Sequence, residues 1–500
     1  MSLVAKLESL RRTGGKARTA GLPDALVEKF GAQYPELGEA IDEAVKMHAQ
    51  LRREFPELLE ADETTQMARV QADFVNFYAD DAVNPYIALT ARGPWVVTLK
   101  GAVIHDSGGY GMLGLGHTPK AVLEALGRPQ VMANVMTPSV SHLRFTRALE
   151  AAVGLTRKEK PFKKFLCLNS GSEAVSLASR IADVNAKLMT EPGAKYAGRT
   201  IKRIAMKGAF HGRTERPAVF SDSSRKAYVQ HLASFRDETS LLTVEPYNVE
   251  QLRQIYADAD KNGWFIEAMF LEPVMGEGDP GRAATPEFYA AARELTRAHG
   301  SLFMVDSIQA GLRAHGVLSI VDYPGFEKLD APDMETYSKA LNAGQYPLSV
   351  LAVSEKTAAL YKKGIYGNTM TSNPRALDVA VAVLDEITPD VRANIRTRGK
   401  EFLDKLNKLK SELPGLITKV QGTGLLFSCE LAPQFKCYGA GSTEEWLRER
   451  GLGVIHGGTN SLRFTPHFRI TAAEADLIVD GVKQALLHGP RIAADAKAAA

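Results

Sequence analysis

The chain has 500 residues, 45% hydrophobic and 24% charged, the composition of a folded globular protein long enough for two or three domains. Its 61 basic and 58 acidic residues leave a net charge of +3, which gives no electrostatic case for nucleic acid or a membrane surface as partner. Cys167, Cys429 and Cys437 show neither metal-ligand nor disulfide-framework spacing, so no metal is expected, and reduced thiols in a cytoplasmic protein are.

Lys6 and Glu8 fall inside what would be the apolar core of a signal peptide, which argues against secretion. No apolar run of about 18 residues exists to span a bilayer. From about Leu26 to Phe77 the chain is charged and poor in glycine, with apolar pairs at helical spacing such as Ile41 with Val45 and Met47 with Leu51. This predicts a helical N-terminal extension. The pattern over Pro94 to His105 predicts strand, and a glycine cluster, Gly108 to Gly116, follows. From Lys163 onward short apolar runs alternate with amphipathic stretches. Strands are predicted at Phe165–Leu168, Ile201–Met206, Phe265–Leu271 and Leu302–Val305, and helices at Glu173–Lys187, Asn248–Asn262 and Pro286–His299. Such alternation predicts an α/β fold with a mainly parallel sheet covered on both faces. After Asn373-Pro374 a helix runs to about Ile387. A smaller α+β region follows, with strands near Leu425–Phe427 and Leu462–Phe464 and a frayed alanine-rich end, Ala493–Ala500.

Six short motifs carry chemistry. Asn169-Ser170-Gly171-Ser172-Glu173-Ala174 joins a strand to a helix; Gly171 allows a tight turn, and a helix N-terminus offers free N–H groups to an anion. The same residues alone would also serve as an ordinary N-cap. Phe210 precedes His211-Gly212-Arg213-Thr214, and a flat aromatic there can stack on a ring or simply pack in the core. Asp306 ends the strand Leu302–Val305, the end at which open α/β sheets bind ligands, although turn aspartates are common. Lys339 lies between Met334–Tyr337 and the run Pro347–Val353; an imine-forming lysine must be partly desolvated, whereas most lysines are solvated. The remaining motifs are Glu272-Pro273-Val274-Met275-Gly276-Glu277-Gly278 and Gly367-Asn368-Thr369. Together they supply a phosphate cradle, an aromatic plate, a carboxylate for a ring nitrogen and an amine, the parts needed to hold pyridoxal 5′-phosphate (PLP).

In this order, from about Gly93 to Leu487, the chain resembles the class III, or ω-amino, PLP-dependent aminotransferases of fold type I, the group of ornithine, 4-aminobutyrate, acetylornithine and lysine ε-aminotransferases. The resemblance implies a seven-stranded-type sheet in a large PLP-binding domain at 151–375 and a small domain at 376–490 with a tail at 491–500. Residues 93–150 would serve the small domain and the active-site entrance, and 1–92 would be the helical extension. It also implies a homodimer or higher homo-oligomer. Lys339 resembles the Schiff-base lysine, Asp306 the partner of the pyridine nitrogen, Gln309 the residue on the phenolic oxygen and Phe210 the stacking aromatic, with His211 beside it. Gly171 and Ser172 match the phosphate loop, and Thr369 the threonine that reaches the phosphate of the neighbouring subunit. Arg463 resembles the arginine for the α-carboxylate of glutamate or 2-oxoglutarate, and Glu277 the glutamate that pairs with it when an ω-amine binds; Glu272, at the head of the same motif, is expected with them among the substrate-binding residues. Four positions depart from the family pattern: Ser307 for an acidic residue, Met275 for glutamine, Asn368 within the glycine-serine-threonine motif and His467 for the second proline of the arginine motif.

The expected reaction is transfer of an amino group from an amino acid or ω-amine to an oxo acid, 2-oxoglutarate or pyruvate, through Lys339. The same scaffold hosts aminomutases, racemases and phospho-lyases, and a non-catalytic binding or regulatory protein that kept the fold is a further alternative. An NAD-binding dehydrogenase is excluded, because no G-x-G-x-x-G follows a strand and opens a helix.

Overall fold

A computed structural model describes residues 1–79 and 82–492; the end expected to fray, Ala493–Ala500, lies outside the described residues. The chain divides into two units, one of Ala121–Arg396 with Gly422–Leu426, the other of Met1–Lys120, Thr397–Gln421 and the chain from Phe427 onward.

The second of these opens with the helices Leu3–Arg11, Asp24–Gly31, Pro35–Glu54, Pro56–Glu60 and Glu63–Gln71, so helix starts well before Leu26. Ser2 caps the first by accepting from the Ala5 N–H, and Pro35 occupies the first turn of the third, where a missing N–H costs nothing. Leu7, Leu10, Val27, Phe30 and Ile41 bury the apolar faces around Trp95, whose ring lies 5.2 Å from Phe30 and 5.8 Å from Tyr34. Three antiparallel strands follow, β1 (Ala88–Arg92), β2 (Trp95–Thr98) and β3 (Val103–Asp106). The strand expected across Pro94–His105 is therefore a hairpin. Gly101 turns it at φ 72°, and the Lys100 ammonium beside it donates to the carbonyls of Thr13, Gly15 and Leu59 at 3.1–3.3 Å, tying the hairpin to the extension.

The other unit holds β4 (Lys164–Leu168), β5 (Thr200–Met206), β6 (Leu241–Val244), β7 (Trp264–Leu271), β8 (Leu302–Asp306), β9 (Met334–Tyr337) and β10 (Ser349–Val353) in one seven-stranded sheet of order β4-β10-β9-β8-β7-β5-β6. All neighbouring pairs are parallel except those of β10, which runs antiparallel to β9 and β4. The predicted crossover helices form at Gly171–Thr190, Val249–Lys261 and Pro286–His299, each started by a capping side chain, from Ser170, Asn248 and Thr285. Their apolar faces and the fully buried β7 and β8 make the core. The carboxyl ends of β4, β5, β7, β8 and β9 all lie at one edge of this sheet, the position where such sheets bind ligands. Each of the motifs around residues 170, 211, 275, 307 and 339 follows one of them.

After β10 the chain forms, mostly in the second unit, the helix Pro389–Glu412, the strands β11 (Ile417–Thr423), β12 (Leu426–Leu431), β13 (Leu452–Gly453), β14 (Ile455–Gly457) and β15 (Ser461–Phe464), and the helix Ala472–His488. β13 joins β3 in parallel, and β11-β12-β15-β14 form a four-stranded sheet. Among the described residues no helix is long and apolar enough to cross a membrane.

Candidate active site

The site in the seven-stranded unit is built on the loop after β8. Asp306 is buried, and its Oδ2 lies 2.8 Å from His211 Nδ1 while Oδ1 accepts from the Thr336 hydroxyl (3.2 Å) and the Ile308 N–H (3.1 Å). His211 stands edge-on to Phe270, which fixes its plane. Gln309 extends from the same loop, and its Oε1 accepts from Lys339 Nζ at 3.2 Å. Lys339 itself follows β9 at φ 47°, a left-handed conformation that side chains other than glycine rarely adopt, and it is half-buried.

The phosphate-type loop packs directly on this assembly. A Cβ at Gly171 would come within 2.8 Å of Ile308 Cδ1, so the start of the helix Gly171–Thr190 lies close against the loop of Asp306 and Gln309. Ser172 is held equally close to the next loop, since a Cβ at Gly212 would fall 2.5 Å from its hydroxyl. Phe210 is half-buried, with its N–H donating to Glu272 Oε1; the other oxygen of Glu272 accepts from the Gly276 N–H, both at 2.9 Å. Glu272 thus spends both oxygens on bracing two loops. Burial pushes its carboxyl up to about 7, against the opposing pull of His211 and the two N–H groups. Glu277 sits half-buried in the Gly276–Gly278 turn. Thr369 is exposed, and its carbonyl accepts from the Val135 N–H at 3.1 Å.

PLP fits these residues. The buried Gln309 Nε2, one bond from the carbonyl that faces Lys339, has no hydrogen-bond partner and is complementary to an anionic phenolic oxygen. The helix N-terminus suits a phosphate, and the buried carboxylate of Asp306 suits a protonated ring nitrogen.

Arg463 belongs to the other unit, on β15, fully buried. Its guanidinium lies 5.7 Å from the ring of Tyr110, which stacks on Tyr78 with centroids 5.8 Å apart and planes 25° apart. Tyr110 holds φ 51° in the glycine cluster, and the neighbouring Gly111 N–H donates to Thr465 at 3.1 Å. Neither tyrosine was picked out from the sequence. The one signal was a bulky residue set between Gly109 and Gly111.

The model of the aminotransferase class-III family matches residues 77–486. An ornithine aminotransferase of Staphylococcus epidermidis is 30% identical over 409 residues, 80% of this chain and 93% of that protein. The chain belongs to the class III aminotransferases. An acetylornithine aminotransferase of Neisseria meningitidis is also 30% identical, over 77% of this chain and 90% of its own. Among solved structures, the ornithine aminotransferase of Toxoplasma gondii superposes with a TM-score of 0.72 at 23% identity, covering 87% of this chain and 98% of that one. The fold is fold type I, and the protein is a PLP-dependent aminotransferase that passes an amino group to an oxo acid.

Three of the four departures from the class III pattern carry hydrogen bonds. The Ser307 hydroxyl donates to Glu335 at 2.5 Å. Asn368 accepts from the Asn169 amide (3.1 Å) and donates to Glu173 (3.2 Å), stitching its loop to the phosphate-type helix of this aminotransferase. His467 and the fully buried His105 both direct Nε2 to Glu474 Oε1, at 2.8 and 3.2 Å, while the other Glu474 oxygen caps the last helix through Thr471. Met275 is simply buried beside Gly208.

Proposed function

We propose that this aminotransferase takes its amino group from the ω-amine of a basic amino acid or its N-acyl derivative and delivers it to 2-oxoglutarate or pyruvate, with Lys339 as covalent holder of PLP. The donor class follows the ornithine and acetylornithine aminotransferases that are its relatives. The observation that carries the residue assignment is the 3.2 Å contact of Lys339 Nζ with Gln309, three residues from the buried Asp306.

When bound, PLP supplies an electron sink for the amine-bearing carbon. Asp306, fixed by His211 and Thr336, would keep the pyridine nitrogen protonated. Gln309 Nε2 would donate to the phenolic oxygen, Phe210 would cover one ring face, and Ser172 with the helix N-terminus would take the phosphate. The Lys339 amine, once free, would take the proton from the amine-bearing carbon and return it two atoms along, on the far side of the nitrogen, acting as base and then acid. Arg463 would grip the oxo acid's carboxylate through two parallel hydrogen bonds, and Glu277 would occupy that arginine when a carboxylate-free ω-amine end must bind. We assign Glu272 to bracing the loops and not to the substrate.

Thr369 would serve the phosphate of a second copy. Its carbonyl is bonded to Val135, in a segment whose apolar side chains Val131, Met132, Val135 and Met136 are exposed, as is the adjacent Met370, a surface suited to a homodimer contact. We place the cofactor domain at 151–375 and the small domain at 376–490, in a cytoplasmic enzyme. The deciding experiment scans amines and amino acids against the purified protein and follows the cofactor absorbance. Conversion by ω-amines, reversed by 2-oxoglutarate or pyruvate, supports the proposal; turnover independent of any oxo acid would replace it with a mutase, racemase or lyase.

A further inference from the structure

Directly behind the cofactor residues the sheet carries a second buried carboxylate. Glu335 lies on β9, in register with Val305 of β8, so it is one position before Thr336, the partner of Asp306. Alternation along the strand sends it to the opposite face. It is fully buried, and among the described residues no lysine, arginine or histidine pairs with it. Four donors converge on it instead. Ser307 donates to Oε1 at 2.5 Å and the Ile320 N–H to the same oxygen at 2.9 Å; Tyr337 donates to Oε2 at 3.0 Å, and the Ser319 hydroxyl also donates to Oε2.

These donors come from three segments. Ser307 stands between Asp306 and Gln309; Tyr337 stands two residues before Lys339; Ser319 and Ile320 close the loop that leaves Gln309. A fully solvated carboxylate gains nothing from such an arrangement, whereas a buried one is costly unless each lone pair is used. Where related enzymes keep an acidic residue directly after the ring-binding aspartate, this chain keeps the hydroxyl of Ser307 and puts the acid on the facing strand.

We propose that Glu335 is a positioning residue of the active site: through Ser307, Ser319 and Tyr337 its carboxylate clamps the strand leading to Lys339 onto the loop that carries Asp306 and Gln309. The inference rests on the assignment of Lys339, Asp306 and Gln309 proposed above. Only the ionised form accepts all four donors at once; a proton on it turns one acceptor into a donor and sets it against a neighbour.

Burial outweighs the four hydrogen bonds and pushes the Glu335 carboxyl up to about 7. The titratable groups around it are Tyr337 on its own strand, Tyr289 of the helix Pro286–His299, and Asp322 and Tyr323 after Ser319. The three phenols are held well above their ordinary value, by burial first and by the charge of Glu335. Asp322 is occupied by the N–H groups of Gly154 and Leu155. Activity should therefore fall as pH drops through about 7. Glu272 titrates in the same range, so the acid limb of wild type alone does not separate the two. Ser307 does, because it touches Glu335 and not Glu272.

The test compares wild type with Ser307→Ala, Glu335→Gln and the double variant. Borohydride trapping with peptide mapping comes first. Cofactor on Lys339 in every form upholds the site assignment, and cofactor on another lysine overturns that assignment and this inference together. Ser307→Ala removes a donor from the carboxylate, so the acid limb of kcat/KM, and of the cofactor absorbance titration, should move to higher pH. Glu335→Gln should lower kcat about tenfold, the scale of a charged hydrogen bond, and add nothing to the affinity of apoenzyme for PLP. Adding Ser307→Ala to Glu335→Gln should change kcat by less than about twofold, since the partner is already gone. An unmoved acid limb in Ser307→Ala, or losses that multiply in the double variant, would overturn the proposal. If Glu335→Gln fails to fold, the limb shift in Ser307→Ala decides alone.

Discussion

The cofactor residues and the surroundings of Arg463 solve their problems differently. Asp306, Gln309, Gly171, Phe210 and Lys339 follow strands of one sheet at their carboxyl ends, and each is held by a neighbour there: His211, Thr336, Ile308, Glu272 or Gln309. Arg463 is surrounded by residues far apart in sequence, Tyr78 from the end of the extension and Tyr110 from a glycine cluster, the latter in a left-handed conformation. A reaction shared by a whole family needs one arrangement of acid, amine and phosphate groups. Substrate choice needs only a surface, which any segment able to reach it can supply. The cofactor residues are therefore where substitutions should abolish chemistry, and the Arg463 region is where they should redirect it.

The comparison breaks first at Lys339. Lys339→Ala should lose turnover by about a thousandfold, within the range for a positioned acid/base, yet keep PLP through the helix N-terminus and Phe210. Its cofactor should no longer be trapped by borohydride, and a mass spectrum of the reduced protein checks this. Asp306→Asn should cost roughly a hundredfold in kcat, since an amide cannot stabilise a protonated ring nitrogen. It also leaves His211 Nδ1 facing an uncharged partner. Near-normal turnover in either variant would mean that the cofactor chemistry sits elsewhere.

The Arg463 side predicts a different signature. Arg463→Lys should raise KM for 2-oxoglutarate about tenfold with little change in kcat for the amine, because one ammonium cannot reproduce the bidentate grip. Tyr110→Ala should do the same to a smaller extent by uncovering the guanidinium. Glu277→Ala should improve α-amino acids as donors relative to ω-amines. Steady-state kinetics with both substrates varied separate these outcomes. A fall in kcat with KM unchanged would erase the distinction between the two regions.

How much of this was legible follows the same division. Strand–helix alternation predicted the parallel sheet, because local apolar periodicity marks its strands and helices, and the motifs that suggested the cofactor residues lie after those strands. The antiparallel run of β10 carries no local mark, since a fully buried strand reads alike in either direction. Trp95 to Leu99 gave a strand, but Lys100-Gly101 turned it into a hairpin through contacts with residues 13, 15 and 59, which no local pattern reveals. His211 was placed beside the cofactor without its pairing to Asp306, a contact across 95 positions. Ser307 and His467 stood out as departures, and their partners Glu335 and Glu474 stand 28 and 7 residues away. Departures from a family pattern become interpretable only when the compensating residue is seen.

The smallest effect concerns stability. Glu272 and Glu335 are both raised in the folded enzyme from an ordinary 4.5 to about 7. The folded state therefore binds these protons more tightly than the unfolded chain does. Their favourable contribution is complete below pH 4.5 and is lost as pH rises through 7, so these two groups alone make the enzyme less stable between pH 5 and 8. Glu474 acts in the opposite sense: His467 and His105 hold its carboxyl far below 4.5, which adds stability above that pH and removes it under strong acid. The cofactor unit should thus lose, and the Arg463 unit keep, thermal stability across the neutral range. Glu335→Gln should flatten the fall in Tm of the first by a few degrees, the shift that about 1 kcal/mol produces in a domain of this size, while His467→Pro should leave that slope untouched. Calorimetry of wild type and both variants at pH 5.5 and 8 checks the pair. A Tm slope unchanged in Glu335→Gln would show that its carboxyl is already ionised at pH 5.5 and that the clamp is never released.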